Sequence, residues 1–157
     1  MNKLNWKLFL YFIIFTELVG AISGWITRDG MKALSDMPRS ALTPPDIVFP
    51  IVWGILYALM GIGIARVWQA RPSFEKRLGI IVFFVQLAAN FLWSIVYFNF
   101  QAFAFAFFWL LFLWVLIIIM IYFFVKTDKL AGWIQIPYLL WVTFAAYLNF
   151  VSWMFNS

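Results

Sequence analysis

Five apolar runs, each long enough to cross a bilayer, constrain this chain more than any other feature. They extend over Trp6 to Thr27, Asp46 to Trp68, Leu78 to Phe98, Phe103 to Val125 and Ala131 to Phe155. About 20 apolar residues in a helix span the roughly 30 Å hydrocarbon layer. In lipid every backbone polar group must find a partner within the protein, so a continuous apolar run has to be a helix. A closed barrel would need alternating apolar and polar residues, which these runs lack. The first run is read as a helix rather than a signal peptide, because no small-residue cleavage site follows it. The expected architecture is an all-α integral membrane protein: a single domain over residues 1–157, built as a bundle of five transmembrane helices.

Composition supports the bilayer as the solvent. Of 157 residues, 66% are hydrophobic and 11% are charged, against about 45–50% and about 25% in soluble domains. With no Cys and no His, disulfides and thiolate or imidazole metal sites are excluded, as is the commonest general base. The reading therefore includes no metal ligands and requires no cofactor.

The net charge of +5 reflects topology rather than a nucleic-acid partner. Lys3, Lys7, Arg66, Arg71, Lys76, Arg77, Lys126 and Lys129 fall on the amino-terminal side, and only Arg28, Lys32 and Arg39 on the other. The positive-inside rule then places the amino terminus in the cytoplasm. Trp6, Trp25, Trp68, Trp133 and Trp153 lie near segment ends, as interfacial anchors do.

Several residues do not suit a helix that faces lipid all round. The second segment opens Thr43-Pro44-Pro45-Asp46, a pattern with Thr43 as cap and Asp46 at its third position. Pro50 then falls inside the expected helix and should kink it. Phe49, Trp53 and Tyr57 share a face beyond it, either as ordinary aromatic packing or as a pocket wall. The third segment carries Gln86, Asn90, Trp93 and Tyr97 on one stripe. Polar groups at this depth turn toward a neighbouring helix or a cavity. In the fifth, Pro137 is expected to open the hydrogen-bond ladder, with Trp141 one turn later. Tyr138, Trp141, Ala145, Leu148 and Ser152 follow one face.

Glu17 shares a stripe with Gly20, Gly24 and Arg28 and is the one acid deep in a span. It is a functional candidate by position, as proton carrier, ligand contact or neutral hydrogen-bond partner. The fourth segment, which lacks charged, amide and Ser/Thr side chains, is expected to show most of its surface to lipid or to a second subunit. Ala102, Ala104 and Ala106 there would permit close packing in a dimer. The longest connection, Arg28 to Thr43, is either a lid or a passive loop.

The stretches PPDIVFPIVWGILYALMG (Pro44 to Gly61), QLAANFLWSIVYF (Gln86 to Phe98) and PYLLWVTFAAYLNF (Pro137 to Phe150) resemble the tryptophan-rich sensory protein, or TspO/MBR, family, which includes the mitochondrial benzodiazepine receptor. The order of landmarks matches over nearly the whole chain, with the first helix and its loop matching loosely. The resemblance is to bacterial-type members and implies a location in the bacterial cell membrane. It implies a five-helix bundle, usually a homodimer, that binds porphyrins (protoporphyrin-like tetrapyrroles) and isoquinoline carboxamides in a pocket open toward the loop between helices one and two. The implied pocket positions are Trp53, Asn90, Trp141 and Ala145, together with Ala21, Phe49, Tyr57, Phe105, Phe108 and Leu148. For some bacterial members the resemblance also implies porphyrin degradation in light, with a photo-oxidative role at the positions matching Trp53 and Trp141. The end of the fifth helix, LNFVSWMFNS (Leu148 to Ser157), departs from the cholesterol motif of the mammalian members, having Phe150 and no following Lys or Arg. That departure speaks against cholesterol as a ligand.

Three functions are open on this reading: a porphyrin receptor or sensor, a light- and oxygen-dependent porphyrin-degrading enzyme, and a porphyrin transporter. The receptor stands first. For the enzyme, no conventional catalytic constellation is present, so the chemistry would fall to the photoexcited porphyrin and the two tryptophans. For the transporter, no inverted repeat is evident.

Overall fold

The computed structural model describes residues 4–156; Lys3, one of the basic residues counted above, lies outside them. Five helices are long and apolar enough to cross a membrane, and no strand occurs among the described residues. The order is α1 (Trp6–Ile26), α2 (Arg28–Ser35), α3 (Val48–Trp68), α4 (Phe74–Ser94), α5 (Phe103–Thr127), α6 (Lys129–Trp133) and α7 (Ile136–Asn156). A π-helical turn, Ile95–Asn99, prolongs α4, and α6 with α7 makes up the fifth span. The chain is an integral membrane bundle of five spans.

Side-chain caps start several of these helices. Asn5 accepts from the Lys7 amide at 3.0 Å, Ser73 from Lys76 at 3.0 Å, and Asp128 from Ala131 at 3.1 Å. Each such cap contributes on the order of 1 kcal/mol. Asp128 also pairs with Arg66 at 3.0 Å, which ties the end of α3 to the α5–α6 corner.

Close backbone packing is concentrated in two groups, α1 against α3 and α5 against both α4 and α7. Gly61 makes the first possible: a Cβ there would stand 2.6 Å from the Ile13 Cα. Thr16 crosses the same seam and donates to the Tyr57 carbonyl at 2.7 Å. The second group is organised by α5. Phe103, Ala106, Leu110, Leu113, Ile117, Met120 and Phe124 are all buried, at alternating spacings of three and four, the geometry of a knobs-into-holes seam. That seam makes α5 the centre of one half of the bundle, while its other face, with Phe108, Phe112, Val115 and Ile119, stays exposed, as expected of a span that shows most of its surface to lipid or to a second subunit. Its small Ala106 is fully buried within the protomer and serves that internal packing rather than a dimer contact.

Two expectations about proline are corrected. Helix α3 begins at Val48, so Pro50 sits in its first turn. The amides there have no intrahelical acceptor, and a missing N–H removes no bond. Similarly, Pro137 is the second residue of α7, after a turn at Ile134 and Gln135 that separates α6 from α7. Neither proline kinks a helix; each stands at the start of one, with Trp53 or Trp141 a turn further on. The Thr43 cap is also absent. Ile47 occupies the N-cap position with no side-chain bond, and Asp46 instead pairs with Arg39 at 3.0 Å.

Candidate functional site

Between the two groups of helices lies a cavity of about 680 Å³. Small-molecule sites commonly enclose about 300–1,000 Å³ and combine apolar walls with a few polar groups. This cavity opens at the end where α1 finishes and α3 begins. Its walls come from α1 (Glu17, Ala21, Gly24), α3 (Phe49, Trp53, Gly54, Tyr57), α4 with its π turn (Trp93, Tyr97, Phe98) and α7 (Trp141, Ala145, Leu148, Ser152).

The helix starts explain why aromatic rings collect here. With Val48 as the first residue of α3, Phe49, Trp53 and Tyr57 follow at intervals of four along its inner face. The Trp53 and Tyr57 rings lie 5.7 Å apart, and Phe49 meets Trp141 edge-on at 5.8 Å. Phe49 thereby joins α3 to α7 near the mouth. Gly54 and Gly24 keep the walls open, since a Cβ at either would meet nothing within 4 Å. Gly20, on the same helix as Gly24, is different: its Cβ would strike the Tyr57 ring.

Behind the aromatic wall, the polar stripe of α4 is clasped to α7. Asn90 donates to the Tyr138 hydroxyl at 2.8 Å, which donates to Gln86 Oε1 at 2.7 Å. The Tyr57 hydroxyl reaches Asn90 Oδ1 at 3.5 Å, a marginal bond. Trp93 Nε1 donates to Asn149 Oδ1 at 3.1 Å, and the Tyr97 and Ser152 hydroxyls are 2.6 Å apart. Asn149 in turn donates to the Phe103 carbonyl at 2.9 Å. These bonds hold α4, α5 and α7 at fixed separations around the cavity. Polar groups buried in lipid need such partners. Asn149 was not singled out in the sequence, although its spacing from Tyr138, Val142 and Ala145 puts it on the same buried face.

The mouth is partly covered. The connection after α1 is not a plain loop: its first half is α2, whose Met31 and Leu34 face the cavity beside Lys32. Gly30 packs directly on the backbone of Phe98, where a Cβ has no room. The second half is tied to α7 through the Ser40 and Tyr147 hydroxyls, 2.8 Å apart. Lys32 and Arg39 line the opening. Arg28 does not: it lies over the Trp25 ring at 4.6 Å and donates to the Trp25 carbonyl.

The sequence-derived site residues thus fall into three groups. Ala21, Phe49, Trp53, Tyr57, Trp141, Ala145 and Leu148 border one cavity. Asn90 is buried just behind it, held by Tyr138. Phe105 and Phe108 lie on the outer face of α5, each 60% exposed, and do not border it.

A model of the TspO/MBR family matches residues 12–154. The "Tryptophan-rich protein TspO" of Chlorobaculum tepidum is 36% identical over 122 residues, covering 75% of each chain. The "Tryptophan-rich sensory protein" of Cereibacter sphaeroides is 29% identical over 98% of this chain and 94% of its own. The human "Translocator protein" is 26% identical over 85% of this chain and 80% of its own.

Proposed function

The chain belongs to the TspO/MBR family, and on that premise we propose that it is a membrane receptor or sensor. Its ligands on this reading are porphyrins, and isoquinoline-carboxamide drugs in the same cavity. The observation that carries the reading is the pair Trp53 and Trp141, from α3 and α7, lining one cavity with Lys32 and Arg39 at its opening. A porphyrin is a flat apolar ring with anionic propionates. Trp contacts with such a ring contribute on the order of 0.5–1.5 kcal/mol beyond burial, and the basic side chains match the propionates. With the amino terminus in the cytoplasm, as the distribution of basic residues favours, the mouth faces the opposite side of the membrane. Two copies pair in the bilayer on this reading, which crosslinking in native membranes tests. Titrating purified protein with protoporphyrin and following Trp fluorescence tests binding. Trp53→Phe and Trp141→Phe should each weaken affinity, and unchanged affinity in both would remove the stacking model.

A second reading, light-dependent degradation of protoporphyrin, is favoured by the presence of both tryptophans in that one cavity. The photoexcited porphyrin would be oxidised by dioxygen, with Trp53 or Trp141 relaying an electron. Illumination of the complex in air should give a new absorbing product, stoichiometric with protein. Its loss in the Trp variants that still bind would support this reading, and bleaching alone would end it.

A further inference from the structure

The charges around the cavity are arranged with a polarity. Lys32 and Arg39 are at the mouth, where Arg39 is shared with Asp46. Inside, the lining carboxyl is Glu17. Glu17 lies nine positions before Ile26 at the end of α1, and Tyr57 nine positions after Val48 at the start of α3. At 1.5 Å per residue both stand about 13 Å below the mouth. The contact of Gly20 with the Tyr57 ring fixes which side of α1 turns inward, one turn from Glu17.

Among the described residues the Glu17 side chain has no hydrogen-bond partner and no ion pair. The cations of its own helix region, Lys7 and Arg28, are ten and eleven positions away, about 15 Å along the axis, and Arg28 is occupied by Trp25. A carboxylate at this depth is costly without a counter-charge. The open space it borders, beside Ala21 and Gly24, is where a ligand would supply one.

We propose that the cavity also takes flat aromatic amines carrying a protonated nitrogen, with the N–H donated to the Glu17 carboxylate and the ring against Trp53 and Trp141. Two features converge on this class. A charge-assisted bond to carboxylate is the stronger kind, and a delocalised cation over indole gains cation–π attraction. The inference rests on the reading of the cavity as a ligand site and adds a second ligand chemistry to it.

The test compares two tricycles of one shape in full-length protein held in nanodiscs of zwitterionic phosphatidylcholine. One is 9-aminoacridine, protonated at neutral pH; the other is its isostere 9-aminoanthracene, a weakly basic arylamine that is uncharged there. The wild type should prefer the amine by about tenfold or more, the worth of one hydrogen bond to a charged group. Glu17→Gln should abolish that preference, and protoporphyrin binding by the wild type, measured alongside, reports separately on the ligand-site reading. Glu17→Asp, with the same charge and a shorter reach, should show an intermediate preference and serves if the Gln variant does not fold. Equal binding of both tricycles to the wild type, or a preference that survives in Glu17→Gln, overturns the inference while protoporphyrin binding stands. If neither protoporphyrin nor either tricycle binds the wild type, the ligand-site reading falls with it.

Discussion

Asn90 donates to the Tyr138 hydroxyl at 2.8 Å, and this bond sets the spacing of α4 and α7 behind the wall formed by Trp53 and Tyr57. Tyr138 is fully buried and does not border the cavity. Tyr138→Phe leaves the amides of Asn90 and Gln86 without their shared partner. The expected cost is about 1–2 kcal/mol, since interhelical bonds in membranes average below that and reach it when fully buried. Thermal unfolding in detergent should show a lower Tm, with protoporphyrin affinity changed less than by Trp53→Phe. An unchanged Tm would mean that the clasp contributes nothing.

Two glycines predict opposite outcomes. Both line the cavity, but Gly54 faces open space, whereas Gly20 has the Tyr57 ring where its Cβ would go. Gly54→Leu should fill the site and weaken porphyrin binding by about tenfold or more, with stability close to wild type. Gly20→Leu should destabilise the α1–α3 pair by about 1–3 kcal/mol through overpacking. Parallel Tm and binding measurements on both variants separate the two effects.

The five spans were legible because apolar length is a one-dimensional signal that tertiary packing does not alter. The observed spans run close to the expected bounds. Where helices begin was less legible. The chain before Val48 is a turn, Asp46 bonds to Arg39 rather than capping, and so Pro50 and Pro137 mark starts instead of kinks. The short helix α2 was hidden because an eight-residue segment gives too little periodicity beside Gly30 and a polar background. Within the site, the period of four on α3 and the polar stripe of α4 were readable directly. What Tyr138 and Asn149 bond to depends on α7 facing α4 and α5, which spacing along one helix does not encode.

The same limit governs Phe105 and Phe108, which a family resemblance places in the pocket and this structure places on the outer face of α5. Phe105→Ala and Phe108→Ala should leave protoporphyrin affinity within about twofold, whereas Phe49→Ala, which removes the edge contact with Trp141, should weaken it by about fivefold to tenfold. Fluorescence titration of the three variants decides between family position and geometry.

The Ser40–Tyr147 contact holds the second half of the α1–α3 connection against α7. Ser40→Ala frees that strap without touching the aromatic walls. Ligand release should speed up by about threefold to tenfold, with association changed little, as interface changes mainly affect dissociation. Stopped-flow displacement of protoporphyrin measures both rates.

The most direct measurement is a structure of the full chain with protoporphyrin bound, at a resolution that defines the ring plane. Ring density is expected between Trp53 of α3 and Trp141 of α7, above Tyr57, with the propionates toward Lys32 and Arg39. Ring density on the outer surface of α5, or at any site that leaves both tryptophans uncovered, would contradict it.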